Sequence, residues 1–267
     1  MGKKRLDDSF SVVKDKGDKA FVPYIMAGDG GLNALKEQIL FLQECGATAV
    51  ELGIPFSDPV ADGPVIQEAG LRALANGTTL AGVLENLEEW KESRTIPIVL
   101  MTYFNLIFAF GVEKFAQRCA EVGVDGLIIP DLPMEEEEIV APAFVDNHIA
   151  LIRLVSPTSP KSRIEKIAKQ TEGFLYAVTV KGTTGARAKY EEGLSAYLQE
   201  LQEFSAAPVL AGFGVSSPEQ VKELGASCDG VIVGSKIVDL LAKGERDQIV
   251  ELIAASKQKI EIINTIS

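Results

Sequence analysis

Eight short apolar runs recur along the chain, each bounded by Gly, Pro, Asn or Asp and separated by stretches of helical spacing. The first four are Phe21–Met26, Val50–Ile54, Pro97–Tyr103 and Gly126–Pro130. Ala150–Val155, Phe174–Val180, Pro208–Phe213 and Gly230–Gly234 complete the set. They are close to continuously apolar, as expected of strands covered on both faces of a parallel sheet. Helices are predicted between them. One runs from about Leu32 to Cys45, and a second places Val65, Ile66, Ala69, Leu71, Ala73 and Leu74 at spacings near three and four before Asn76-Gly77. A third carries Leu80, Val83, Leu84, Leu87 and Trp90 on one face of residues 79–92.

Eight strands alternating with helices in a chain of this length predict an α/β fold, a (β/α)8 TIM barrel with extra helices. Most strand starts fall roughly 22–34 residues apart, while the second-to-third interval is about 48, enough for an additional helix. No linker or change of composition marks a boundary, so a single domain over residues 1–267 is expected. A doubly wound sheet shares the alternation, and counting strands does not separate the two. The absence of GxGxxG and GxxxxGK[ST] counts against nucleotide-binding versions of that rival. Thr95–Val112 has no charge over 18 residues, but Pro97, Asn105 and Gly111 interrupt it, so it reads as a buried strand plus a short helix rather than a membrane span.

Composition narrows the function classes. Of 267 residues 46% are hydrophobic and 24% charged, ample for a core. A net charge of −12 with no basic stripe argues against nucleic acid as a partner, yet leaves room for a phosphorylated small molecule held by backbone amides. Cys45, Cys119 and Cys228 lie far apart with no CxxC, and His148 is the only histidine, so neither a metal site nor a disulfide framework is expected. His148 reads as a surface or capping residue. The first residues lack an apolar signal core and Leu6 breaks the myristoylation pattern, so a cytoplasmic chain without membrane attachment is expected.

Candidate chemistry centres on Ala49–Gly77. Glu51 stands in an otherwise apolar strand, where a carboxylate must be paired, protonated or functional, because an isolated buried charge is very costly. Eleven residues on, Asp62 lies in the loop Ser57–Pro64 beside Asp58, and both are also residues that an ordinary turn or helix cap would use. Together they suit acid/base chemistry at the mouth of a barrel. Three further loops follow strand ends: Lys181–Arg187, rich in small residues; Gly212–Ser216, with Phe213 and Gly214; and Gly234-Ser235 opening a helix. The last two offer backbone N–H groups and a helix dipole to an anion, where barrels commonly hold phosphate.

The motif ELGIPFSDPVADGP, with FVPYIMAGD, MTYFNLIFAFG, GVDGLIIPDLP, GTTGAR, AGFGVS and GVIVGSKIV in order, resembles the tryptophan synthase alpha chain family over nearly the whole chain. The resemblance implies cleavage of indole-3-glycerol phosphate to indole and glyceraldehyde 3-phosphate, without metal or organic cofactor. It implies Glu51 as acid/base and Asp62 as acceptor of the indole N–H. Tyr24, Tyr103 and Ile128 would line the indole pocket, and Tyr176 would lie by the glycerol chain. Thr184 would close over Asp62, and Gly185, Phe213, Gly214, Gly234 and Ser235 would be substrate contacts, the glycines and the serine around the phosphate. The implied partner is a pyridoxal-phosphate beta chain in an alpha2beta2 assembly, with Pro55 and Asp58 at the contact. Two alternatives stay open: a free-standing lyase, and a silent barrel that only activates a beta chain. Pro130 before Asp131, and Gly30 after Asp29, depart from the family's usual residues and bear on pocket shape.

Overall fold

The computed structural model describes residues 2–178, 187–212 and 214–258, the side chains of 187–192 excepted. Nine parallel strand segments form its sheet: β1 Ala20–Met26, β2 Val50–Gly53, β3 Ile98–Met101, β4 Gly126–Ile128, β5 Ala150–Leu151, β6 Arg153–Val155, β7 Leu175–Val178, β8 Val209–Gly212 and β9 Gly230–Val233. The hydrogen-bonded order is β5-β4-β3-β2-β1-β9-β8-β7-β6. Its two ends, β5 and β6, are separated in the chain by Ile152 alone. Leu151 is in register with Leu127 of β4, and Arg153 is in register with Leu175 of β7. The Ile152 N–H still donates to Leu127 O, at 2.9 Å. The predicted fifth strand is thus one strand that changes partners midway and so closes the barrel. The eight predicted strands are all present, most of them shorter at one or both ends, with Val180 and Phe213 outside the described residues.

Each strand divides its side chains between two cores, as pleating requires. Phe21, Ile25, Val50, Leu52, Ile98, Leu100 and Leu127 face the surrounding helices. Ala20, Val22, Ala49, Val99, Ile128, Ala150, Ile152, Phe174, Leu210 and Ile232 fill the interior. The long interval after β2 holds two helices, Pro64–Ala75 and Leu80–Glu89. The uncharged stretch after Thr95 becomes β3 and the helix Phe104–Phe110, as expected.

A helix not among the predicted elements, Lys3–Asp15, joins the barrel interior through Leu6 and Phe10. Its apolar stripe, Leu6, Phe10 and Val13 at helical spacing, stands among many charges and precedes the first strand, where the alternation of strands and helices calls for no helix. Arg5 ties it down. Its Nε donates to Asp125 Oδ1 at 2.9 Å and its Nη2 to Gly123 O at 2.7 Å, while buried Asp125 also accepts the Ile98 N–H at the start of β3. The exposed His148 is the one described non-glycine residue with positive φ, at 56°, and its carbonyl receives the Lys3 N–H. Among the described residues no helix is long and apolar enough to cross a membrane.

Candidate active site at the carboxyl end of the barrel

In β2, Val50 and Leu52 point outward into the helix layer, so Glu51 between them is turned into the barrel. It lies in register with Tyr24 on β1 and Val99 on β3. Only 1% of its surface is exposed, and its Oε2 has no hydrogen-bond partner among the described residues. Burial pushes the Glu51 carboxyl up to about 8, and the nearby charge of Asp62 adds to the shift. Of the three readings open to a buried carboxylate, a structural ion pair is not realised among the described residues. A protonated acid at neutral pH is what remains, and that is the state a proton donor needs.

Past Gly53 the Ile54 N–H bonds to Met101 O, and the chain then leaves the sheet through residues 55–63. Two tight contacts, Val60 N–H to Asp58 O and Asp62 N–H to Pro59 O, fold this loop on itself. The helix Pro64–Ala75 that follows is capped by Gly63 without a side-chain bond, so Asp62 does not serve as its N-cap. The Asp62 carboxyl is half-buried and raised to about 6 by desolvation, against which the Tyr103 hydroxyl favours the ionised form. Near neutral pH the two acids therefore differ: Glu51 holds its proton and Asp62 has lost its own.

Three phenols surround them. Burial raises Tyr24 and Tyr176 well above the ordinary tyrosine range, and in both cases the charges of Glu51 and Asp62 push in the same direction. Burial likewise raises Tyr103 to about 12, with Asp62 adding to it. Glu51, Asp62, Tyr24, Tyr103 and Tyr176 thus share one electrostatic neighbourhood. Two glycines make room for the rings. A Cβ on Gly53 would sit 1.9 Å from the Tyr24 hydroxyl, and a Cβ on Gly212 would sit 2.3 Å from the Tyr176 ring. Neither glycine was singled out for this role by the sequence, although glycine inside a strand is a known sign of close approach. Ile128 is fully buried in the interior cluster, with Met101, Leu154 and Tyr176 packed against the same group.

Beyond β9, the strand that pairs with β1, Gly234 precedes the helix Ser235–Lys243, which starts without a side-chain cap. Its first amides are free of intrahelical partners, and the positive end of the dipole lies there. Gly234 packs next to Tyr24: an added Cβ would be 3.7 Å from Tyr24 Cβ. Gly214 is exposed, with φ of 35°. Thr184, Gly185 and Phe213 lie outside the described residues. No group of three or more potential metal ligands occurs among the described residues.

An acid, a second carboxylate, three phenols and an open helix N-terminus at the end of one barrel can be compared with known proteins. The sequence profile of a family described as "Tryptophan synthase alpha chain" matches residues 10–265. The chain belongs to the tryptophan synthase alpha chain family. It is 57% identical over 259 residues to the tryptophan synthase alpha chain of Oceanobacillus iheyensis, covering 96% of this chain and 98% of that one. To its counterpart in a Bacillus cereus strain it is 53% identical over 261 residues, 98% and 100% covered. Among solved structures, tryptophan synthase subunit alpha of Legionella pneumophila superposes with a TM-score of 0.86 at 32% identity, over 96% of this chain and 98% of that one. A chain of tryptophan synthase from M. tuberculosis, in an aminoacrylate- and BRD0059-bound form, gives 0.86 at 30% identity, over 95% and 98%. The family's barrel is the fold seen here.

Proposed function

We propose that this chain, as one barrel domain over residues 1–267, cleaves indole-3-glycerol phosphate to indole and glyceraldehyde 3-phosphate, as the alpha subunit of tryptophan synthase in tryptophan biosynthesis. The observation that carries the reading is Glu51: a carboxyl turned into the barrel, without an ion pair among the described residues, and held in its acid form by burial.

The chemistry follows from the two protonation states. Glu51 gives its proton to C3 of the indole ring, the carbon bearing the glycerol chain. The ring becomes positively charged, and ionised Asp62 accepts a hydrogen bond from the ring N–H and stabilises that charge. The Glu51 carboxylate then removes the proton from the hydroxyl on the adjoining carbon. The C3–C bond breaks, its electron pair restores the neutral indole, and the alcohol carbon leaves as the aldehyde. Glu51 ends the cycle protonated, so no net proton is consumed. Tyr24, Tyr103 and Ile128 enclose the ring, and Tyr176 meets the glycerol chain. Gly214, Gly234 and Ser235 receive the phosphate, with Thr184, Gly185 and Phe213 assigned to the substrate from the family pattern alone.

A beta chain is the proposed partner, in an alpha2beta2 assembly. Asp58 is exposed and accessible to such a partner, whereas Pro55 is buried in this chain and contributes no free surface. The apolar Val60, 83% exposed in the same loop, and Phe108, 67% exposed after β3, favour a covered face over a free-standing lyase. Three free thiols, in Cys45, Cys119 and Cys228, accord with a cytoplasmic enzyme. The test is indole release by the purified chain with and without a beta subunit. Release that rises with the partner supports the reading, and no release under either condition overturns it.

A further inference from the structure

The loop that carries Asp62 is mostly exposed, yet one buried side chain from another strand holds it at both ends. Tyr103 follows β3 and is 2% exposed. Its ring stacks on Phe56 at the start of the loop, with centroids 5.1 Å apart and planes at 28°. Its hydroxyl accepts the Ala61 N–H at the end of the loop, at 3.0 Å. Asp131 fixes the backbone around Tyr103 itself, since its Oδ1 receives the Phe104 N–H at 2.9 Å and so caps the helix Phe104–Phe110. A phenol that accepts one hydrogen bond keeps its own proton to donate. The residue just past the bonded amide is Asp62, whose ionised form the Tyr103 hydroxyl favours.

We propose that Tyr103 is a positioning residue: through Phe56 and the Ala61 amide it clamps the loop and aims the Asp62 carboxylate, beyond any part its ring plays as a pocket wall. The peptide N–H it holds is the one immediately before Asp62, so releasing it frees the direction of the carboxylate without moving the barrel. This rests on the reading of Asp62 as the group facing the ring N–H. Removing the hydroxyl has a second consequence. Besides Tyr103, the ionisable groups around Asp62 among the described residues are Glu51, Tyr24 and Tyr176, and Asp131 acts on Tyr103. None of these replaces a donor that favours the ionised carboxylate, so Asp62 titrates at higher pH without it.

The experiment compares Tyr103→Phe, Tyr103→Leu, Asp62→Asn and the Tyr103→Phe/Asp62→Asn double variant in the full chain, by indole release against pH. The expected result for Tyr103→Phe is a kcat lowered about tenfold, the worth of one hydrogen bond to a charged group. KM should stay within about twofold, and the acid limb should move to higher pH. Tyr103→Leu removes the ring as well and raises KM. In the Asp62→Asn background, Tyr103→Phe lowers kcat no further. A wild-type kcat with an unmoved acid limb in Tyr103→Phe, or additive losses in the double variant, overturns the proposal. Amide exchange of the loop is read in parallel. Faster exchange at Ala61 in Tyr103→Phe, with Tm unchanged, supports the clamp; unchanged exchange overturns it. If the wild-type chain itself releases no indole, the proposed function falls, while the exchange readout still decides the clamp.

Discussion

At the scale of single residues, the chemistry depends on two like-charged groups driven apart in proton affinity. Glu51 is raised to about 8 and Asp62 to about 6. A reaction that needs the first protonated and the second ionised runs between those values. We predict a bell-shaped kcat/KM for indole release, falling below about pH 6 and above about pH 8 as the two groups titrate. A profile flat through both regions would refute the assignment. The same shift acts on stability. A carboxyl raised in the folded state contributes most below its unfolded value of 4.5, and that contribution is lost as pH rises through the folded value near 8. Glu51→Gln is expected to abolish indole formation, and for the same reason to raise Tm by about 3–6 °C near pH 9 and to change it little near pH 4, measured by calorimetry. Glu51 itself was legible in the sequence, because a charge inside an apolar strand has few explanations. The bond from the Ala61 amide to Tyr103 was not, since it joins positions 42 residues apart across two strands.

At the scale of elements, apolar runs sufficed to find the strands, whereas what happens at their ends depended on neighbours. Gly53 ends β2 because the Tyr24 phenol occupies the space a side chain would take. Gly53→Ala is expected to push that ring aside, costing about 1–3 kcal/mol of stability and lowering kcat/KM. Urea unfolding and indole release measure the two effects, and a variant with wild-type values in both would show that Tyr24 has room to spare. The handover of the fifth strand at Ile152 could not be placed from the sequence. Ala150–Val155 reads as one strand despite the charge of Arg153, and which neighbour each half pairs with is set by closure of the whole ring. The helix Lys3–Asp15 escaped for a related reason. Its three-residue apolar stripe gains meaning only when the barrel interior is there to receive it.

At the scale of the whole molecule, the two ends of the barrel divide the work. Glu51, Asp62 and the phenols gather at the carboxyl end, whereas Leu6 and Phe10 add to the interior from the N-terminal helix. Burial at the second end is about stability alone. Leu6→Ala, deleting a side chain with no exposed surface, is expected to cost about 2–5 kcal/mol in urea unfolding while kcat well below Tm stays at the wild-type value. A matching loss of kcat under those conditions would mean that the helix also shapes the site.

The order in which the wall is completed matters for a chain made from its amino end. Until Leu175–Val178 exists, β6 has no neighbour to turn to, and β1–β5 form an open sheet with two raw edges. The last strand to be synthesised, β9, is the one that pairs with β1 and brings Gly234 against Tyr24. Without that closure Glu51 would face water, and the burial that holds its proton would be missing. The proton affinity of Glu51 thus belongs to the closed ring that buries it and not to the segment that encodes the acid.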